Sequence, residues 1–344
     1  MIAPDPARLR QLRARWEAML PALAGPLPPA WPPELRRLSD RFNRLEGAPE
    51  GDYFGAANVE PYFAHHGWAQ AEALASILAE TPLEAPRQVW DLGGGPGVLT
   101  AAASVLWPEA AFTLTDLRDE ALQWAEGRLR PLGVQLHTRR QRLPELPEGE
   151  PDLVLLGHML NELPEREQSQ LLAALKTRLT EGGHLVILEP ALRTTARRLM
   201  ALRDALREGP FAIQAPCPCP GPCPMLPLDR QWCVAERPWE PPAWFRELDA
   251  AAGLDRRNLA FAYLVVRKGG APRFPAARVV GVPRPQKGKV ERWMCTPAGG
   301  ERWEALTRHG EPDWAAARGT EVPVREDGEL RPSPDGWPVR RFRA

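Results

Sequence analysis

The sequence has no net charge and no long apolar run. Its 44 Lys and Arg residues balance 44 Asp and Glu residues, so the overall charge does not indicate nucleic-acid binding and any basic face must be local. No apolar run approaches the roughly 18 residues of a membrane-spanning helix. The first residues also lack the apolar core of a signal peptide. We therefore expect a cytoplasmic protein without a membrane span.

Cysteine is scarce but clustered. Four of the five cysteines lie between Cys217 and Cys233, in a segment rich in proline and glycine. In a cytoplasmic chain such a cluster binds metal more often than it forms disulfides. The two C-x-x-C pairs usual for zinc are absent, and so is the C-x-x-x-C-x-x-C spacing of radical enzymes. The pattern leaves zinc, an iron–sulfur centre and free buried thiols as alternatives.

Apolar periodicity divides the chain into three regions. Residues 1–80 have the spacing of helices. Residues 81–269 alternate strands and helices, which predicts an α/β fold with a doubly wound parallel sheet. Within that region, residues 208–243 are predicted to form a cysteine-rich insertion with little regular structure. Residues 270–344 predict a small antiparallel sheet or barrel.

A glycine-rich turn follows the first predicted strand, Gln88–Leu92. It reads Asp91-Leu92-Gly93-Gly94-Gly95-Pro96-Gly97, and glycine allows the backbone to turn tightly and approach a ligand. The spacing is not the G-x-G-x-x-G of dinucleotide sites, whose third glycine would fall at Val98. The second predicted strand ends at Asp116, where a carboxylate can accept both hydroxyls of a ribose.

This acid-x-Gly-x-Gly-x-Gly turn resembles motif one of the class I S-adenosylmethionine-dependent methyltransferases. The resemblance implies that Asp91, Gly93, Gly95 and Gly97 line the methionine and ribose, and that Asp116 binds the ribose. After the third strand the sequence is Thr138-Arg139-Arg140-Gln141-Arg142, with no acid to bind the adenine amine.

The sequence carries no familiar catalytic element. Amino-group methylases have D/N-P-P-Y/F after the fourth strand, where this chain has Gly157-His158-Met159-Leu160-Asn161-Glu162. His158 is a weak candidate for a catalytic base, or simply a polar residue at a strand end. We expect weak or absent methyl transfer to free small molecules.

Further motifs resemble the methyltransferase-like assembly factors of the mitochondrial small ribosomal subunit and their bacterial homologues. The matching pieces are the glycine turn, Met159-Leu160-Asn161-Glu162-Leu163, Ala215-Pro216-Cys217-Pro218, Trp232-Cys233, Phe261-Ala262-Tyr263-Leu264 and Cys295-Thr296-Pro297. The resemblance implies a [4Fe–4S] cluster on Cys217, Cys223, Cys233 and Cys295. Cys219 stands where the family usually has histidine, and we expect it to be the spare thiol.

Basic residues form two groups. The predicted helix before the cysteine segment carries Arg193, Arg197, Arg198, Arg203 and Arg207, either as a solvated face or as a nucleic-acid face. Phosphate contacts are expected more strongly from Arg278, Arg284, Lys287 and Lys289. The resemblance to the assembly factors implies that the partner is the small ribosomal subunit or its rRNA.

Three functions are compatible with these patterns. The first is an iron–sulfur, S-adenosylmethionine-binding protein that acts in small-subunit assembly without necessarily transferring methyl groups. The second is an active rRNA methyltransferase with a structural zinc. The third is an RNA-binding assembly factor with a vestigial nucleotide site.

Overall fold

The computed structural model describes residues 5–43, 58–273, 276–281, 286–309, 312, 314–333 and 337–342. The chain divides into two compact units, each made of two stretches of sequence. The parallel-sheet unit comprises Ile2–Leu188 and Pro238–Leu259, and the cysteine unit comprises Glu189–Arg237 and Ala260–Ala344. Among the described residues, no helix is both long enough and apolar enough to cross a membrane.

Helices and strands alternate through much of the chain. The helices are α1 (Pro6–Met19), α2 (Trp31–Asn43), α3 (Val59–Tyr62), α4 (Trp68–Glu80), α5 (Val98–Leu106), α6 (Asp119–Leu129), α7 (Glu165–Arg178), α8 (Arg193–Arg207) and α9 (Ala243–Ala251). The strands are β1 (Gln88–Leu92), β2 (Ala111–Asp116), β3 (Gln135–Arg140), β4 (Leu153–Gly157), β5 (His184–Pro190), β6 (Phe211–Ala215), β7 (Ala235–Pro238), β8 (Asn258–Lys268), β9 (Ala277–Val280), β10 (Lys289–Thr296), β11 (Gly299–Leu306), β12 (Glu321–Val322), β13 (Glu329–Arg331) and β14 (Val339–Arg341).

Parallel strands form the sheet of the parallel-sheet unit, in the order β3-β2-β1-β4-β5. Val89 in β1 and Val154 in β4 are completely buried, as expected for strands covered on both faces. The order runs outward from β1 in both directions. The switch point therefore lies between β1 and β4, where open α/β sheets bind ligands at the carboxyl ends of their strands. The predicted doubly wound sheet is confirmed.

A π-helical turn, Phe63–Gly67, joins α3 to α4. The Phe63 carbonyl accepts a hydrogen bond from Trp16 Nε1 at 3.0 Å, which ties α1 to this turn. His65 in the turn is fully buried, with Nε2 2.7 Å from Asp249 Oδ1 and its ring stacked on Phe245 at 4.4 Å. The turn therefore connects the N-terminal helices to α9.

The cysteine unit contains α8, the cysteine loop and a second sheet. In this unit β6 and β7 both pair with β8, and β6 runs antiparallel to it. The second sheet has the order β12-β9-β10-β11-β14-β13, around a core that includes Trp303, Trp314 and Phe342.

The structure corrects two predictions for this unit. Residues 208–243 include β6 and β7, because the apolar run Phe211–Ala215 pairs with β8 before the prolines begin. The second sheet is mixed rather than antiparallel, because β14 runs parallel to β11.

Candidate functional site

A left-handed glycine turn follows β1 at the carboxyl edge of the parallel sheet. Gly93, Gly95 and Gly97 have φ values of 66°, 53° and 76°, which residues with a Cβ rarely adopt. A Cβ on Gly93 would lie 2.5 Å from Met159 Sδ. Helix α5 begins directly after Gly97, so its first amides face the turn. The turn presents bare backbone and a helix N-terminus.

Asp91 holds the turn from inside the protein. It is completely buried, and its Oδ2 accepts hydrogen bonds from the Thr100 N–H at 2.9 Å and the Thr100 hydroxyl at 2.8 Å. Burial raises the pKa of Asp91 to about 6. The side chain that the sequence predicts as a cofactor contact therefore fixes the turn to α5.

Asp116 ends β2 beside the same turn. Its Oδ2 accepts the Gly95 N–H at 2.9 Å, and its Oδ1 accepts the Arg118 N–H at 3.0 Å. Burial raises the pKa of Asp116. The next residue, Leu117, is 49% exposed and offers an apolar surface beside the acid. The structure thus brings Asp116 together with the predicted glycines.

Gln141 lies beside Asp116, and sequence reasoning missed it by looking only for an acid. Its N–H donates to the Asp116 carbonyl at 2.9 Å, and the residue is only 9% exposed. Within the described part of the chain, Gln141 Oε1 has no hydrogen-bond partner. A buried acceptor without a donor costs free energy, so a ligand N–H would be stabilised there. Its position directly after β3 was the available signal.

His158 occupies an unusual backbone position after β4. Its φ is 58°, which is uncommon outside glycine and concentrates at functional sites. Its N–H donates to the Leu188 carbonyl at 2.8 Å. Desolvation lowers the pKa of His158 to about 4. The imidazole is therefore neutral at physiological pH and a weak base.

All five cysteines line one cavity of about 40 Å³ in the cysteine unit. They come from three segments, namely the loop from Cys217 to Cys223, the approach to β7 at Cys233, and Cys295 in β10. None is in a disulfide. The structure therefore brings the distant Cys295 together with the four clustered cysteines.

Desolvation disfavours the thiolate form of four of the cysteines in this cavity. Desolvation raises the pKa of Cys217 to about 12 and that of Cys223 to about 11. It also raises the pKa values of Cys233 and Cys295. Among the residues that the structure describes, no three His, Cys, Asp or Glu side chains are arranged to hold a metal ion. The cavity therefore brings together residues of the types that bind metals, but their side chains are not arranged as the ligands of a metal ion.

The residues predicted to contact phosphates differ in how far their side chains are exposed to solvent. Arg278 is 1% exposed and donates to the Tyr263 hydroxyl at 3.0 Å beside the cysteine cavity, so its guanidinium is not available to an RNA. Lys289 pairs with Glu304, whereas Lys287 is exposed. Arg284 lies outside the described residues.

The strand order, the glycine turn after β1 and the acid after β2 define a class I methyltransferase fold of the Rossmann type. Residues 56–322 match the family described as "Mitochondrial small ribosomal subunit Rsm22". The chain belongs to this family.

The two relatives described next match the chain over different lengths. The human "Ribosome assembly protein METTL17, mitochondrial" is 28% identical over 311 residues, which cover 82% of this chain and 63% of that protein. A "Trans-aconitate 2-methyltransferase" from Methylobacterium radiotolerans is 36% identical over 139 residues, 40% of this chain and 51% of the enzyme. The chain thus spans between about half and 63% of the length of these relatives. Among solved structures, a precorrin-6y C5,15-methyltransferase from Geobacter metallireducens is 15% identical, with a TM-score of 0.39 over 57% of this chain and 89% of that chain.

Proposed function

We propose that this protein acts in assembly of the small ribosomal subunit, binding S-adenosylmethionine at the glycine turn and a [4Fe–4S] cluster in the cysteine cavity. One observation carries the proposal. The family match at residues 56–322 includes both the glycine turn and all five cysteines. A human relative over 82% of the chain is named a ribosome assembly protein, which supports the same role.

The residues around the turn fit S-adenosylmethionine, which supplies an activated methyl group. The backbone of Gly93–Gly97 would face the methionine and ribose, and Asp116 would accept the ribose hydroxyls. Gln141 Oε1, buried and without a partner in the described residues, would accept the adenine amine. His158 is a weak base at neutral pH because its pKa is about 4. We therefore expect slow or no methyl transfer to free small molecules.

Titration calorimetry with S-adenosylmethionine tests this site. Gly95→Val places a β-branched residue at a φ of 53° and should abolish the heat of binding. Gly127→Val is the matched control, because Gly127 lies in α6 with no atom near its Cβ position. No heat from the wild type, or equal heats from the wild type and Gly95→Val, would contradict the proposal.

The cysteine cavity fits a cluster by its donor types. Cys217, Cys223, Cys233 and Cys295 would be the ligands, and all four residues line the cavity. The Cys219 thiol instead faces the Pro222 carbonyl, 3.9 Å away, which supports its role as the spare. The thiols must lose their protons and turn toward one centre when metal binds.

Five single Cys→Ser variants, purified without oxygen and assayed for iron, sulfide and visible absorbance, test the ligand set. Cys219→Ser should retain its cluster, and the other four variants should lose it or hold it loosely. If the wild type contained zinc but no sulfide, the site would hold a structural zinc and not a cluster. Loss of the cluster in Cys219→Ser but not in Cys217→Ser would reverse the choice between them.

Association with the small subunit would use the exposed Lys287, together with Lys289 and with Arg284, which lies outside the described residues. Charge reversal by Lys287→Glu should weaken co-sedimentation with small-subunit particles and flatten its salt dependence. Lys176→Glu, which makes the same charge change in α7, serves as the control. Equal binding by both variants would mean that Lys287 only aids solubility.

A further inference from the structure

The loop that carries most of the cysteines is short of hydrogen-bond donors. Residues 216–227 include six prolines, and proline has no N–H. The loop therefore has more carbonyl acceptors than amide donors. A buried carbonyl without a donor costs free energy. The buried carbonyls of the loop therefore need donors from another part of the chain.

Helix α8 supplies these donors through its arginines. A guanidinium group carries several N–H donors in a fixed plane, so one side chain can serve several carbonyls. Arg197 donates at 2.8 or 2.9 Å to three carbonyl oxygens of the loop, those of Leu226, Leu228 and Gln231. Arg193 Nε donates to the Asp229 carbonyl at 3.1 Å.

Arg203 and Asp204 form hydrogen bonds with the cysteine-bearing part of the loop. Arg203 is 2% exposed and donates from Nη1 to the Gly221 carbonyl at 2.6 Å and from Nη2 to the Cys219 carbonyl. Both carboxylate oxygens of Asp204 accept the Cys223 N–H at 3.0 Å. Arg203 Nη1 also binds Asp204 Oδ1 at 2.6 Å. The pair thus holds the backbone of two cysteines.

The contacts continue along one face of α8. Met200 Sδ accepts the Cys233 N–H at 3.4 Å. Arg193, Arg197, Met200 and Asp204 follow one another at steps of four, three and four residues, which is the spacing of a single helix face. Helix α8, including Arg203, therefore forms hydrogen bonds with the loop from Cys219 to Cys233, and these bonds are made between protein groups alone.

We propose that α8 is the template on which the cysteine loop folds, and that Arg197, Arg203 and Asp204 are positioning residues that gather the cysteines before metal binds. The positioning role rests on the proposed cluster site, whereas the template itself does not need a metal. Many small metal sites form only as the metal binds. Here the cluster enters a loop that is already folded.

Hydrogen–deuterium exchange on reduced, metal-free, full-length protein tests the template. The wild type should protect the hydrogen-bonded amides between residues 223 and 233, which are those of Cys223, Leu226, Leu228, Gln231 and Cys233. Arg197→Lys keeps the charge but cannot span three carbonyls, so exchange in this segment should become about tenfold faster. Arg198→Lys is the matched control, since Arg198 is exposed on the same helix and makes no hydrogen bond to the loop among the described residues. Exchange in β1–β5 should be the same in all three proteins.

Asp204→Ala provides a second, independent variant. It removes the acceptor of the Cys223 N–H, so the peptide containing Cys223 should exchange faster, and less iron and sulfide should bind after reconstitution. Rapid exchange of the loop in the metal-free wild type would overturn the template, as would equal exchange in Arg197→Lys and Arg198→Lys. A wild type that protects its loop but binds no iron would support the template and contradict only the cluster.

Discussion

In the parallel-sheet unit the buried carboxyls of Glu72 and Asp91 have raised pKa values, whereas in the second sheet of the cysteine unit those of Glu301 and Glu304 are lowered. Burial alone raises the pKa of Glu72 to about 8. Burial also raises the pKa of Glu301 and Glu304, but hydrogen bonds from Arg340 to Glu301 and from Lys289 to Glu304 outweigh it. A cationic hydrogen-bond partner therefore distinguishes Glu301 and Glu304 from Asp91, whose partner is the neutral Thr100.

This contrast gives the carboxyls of the two units opposite contributions to stability as the pH changes. A carboxyl whose pKa is raised on folding holds its proton more tightly in the native state, so the stability it supports falls as pH rises toward its folded pKa. A carboxyl whose pKa is lowered contributes stability above its unfolded pKa and loses it as pH falls through the folded pKa. Acid should therefore remove the stability that Glu301 and Glu304 contribute to the second sheet, whereas it relieves the cost of burying Glu72.

The largest expected effect comes from Arg340→Ala. Arg340 donates to Glu301 from Nε at 2.6 Å and from Nη2 at 2.8 Å, and its side chain is 13% exposed. Removing it leaves a buried carboxylate with only the Trp303 Nε1 donor, which should cost about 3–5 kcal/mol at neutral pH. Denaturant unfolding monitored by tryptophan fluorescence measures this loss. The loss should shrink in acid, and a loss independent of pH would contradict the account.

Glu72→Gln should have a smaller effect of opposite sign. Glu72 is 8% exposed, and its pKa of about 8 lies above the unfolded value of 4.5. Ionised Glu72 therefore lowers stability as pH rises. The neutral amide should stabilise the protein by on the order of 2 kcal/mol at neutral pH. Unfolding free energies from about pH 5 to pH 8 should diverge steadily from the wild type. Parallel curves would show that Glu72 does not carry this penalty.

Arg331→Ala should have no measurable effect. Arg331 pairs with Glu329 at 2.8 Å in the same sheet as Arg340, but the two side chains are 52% and 47% exposed. Water replaces the lost partner of an exposed ion pair at little cost. The same unfolding measurement makes this variant the control for Arg340→Ala. Similar losses from both would show that burial is not what distinguishes the pairs.

The parallel sheet was predictable because short stretches of the sequence mark where its strands and helices begin and end. β1 has the predicted bounds, since an apolar run and the glycines after it mark the strand directly. From the sequence, we could predict only that Arg193, Arg197 and Arg203 form a solvated face or a nucleic-acid face. Their real partners are carbonyls 16 to 36 residues further along the chain. Gln141 was missed for a related reason, because its unpaired Oε1 is visible only when the burial of that atom is known.

The two units interleave along the chain, because α9 belongs to the parallel-sheet unit although cysteine-unit segments precede and follow it. During synthesis, His65 has no Asp249 to bind until the whole cysteine loop has left the ribosome. The parallel-sheet unit therefore cannot be completed during synthesis before the cysteine loop has emerged. A chain cut after Leu188 lacks α9, and no single cut separates the two units from each other.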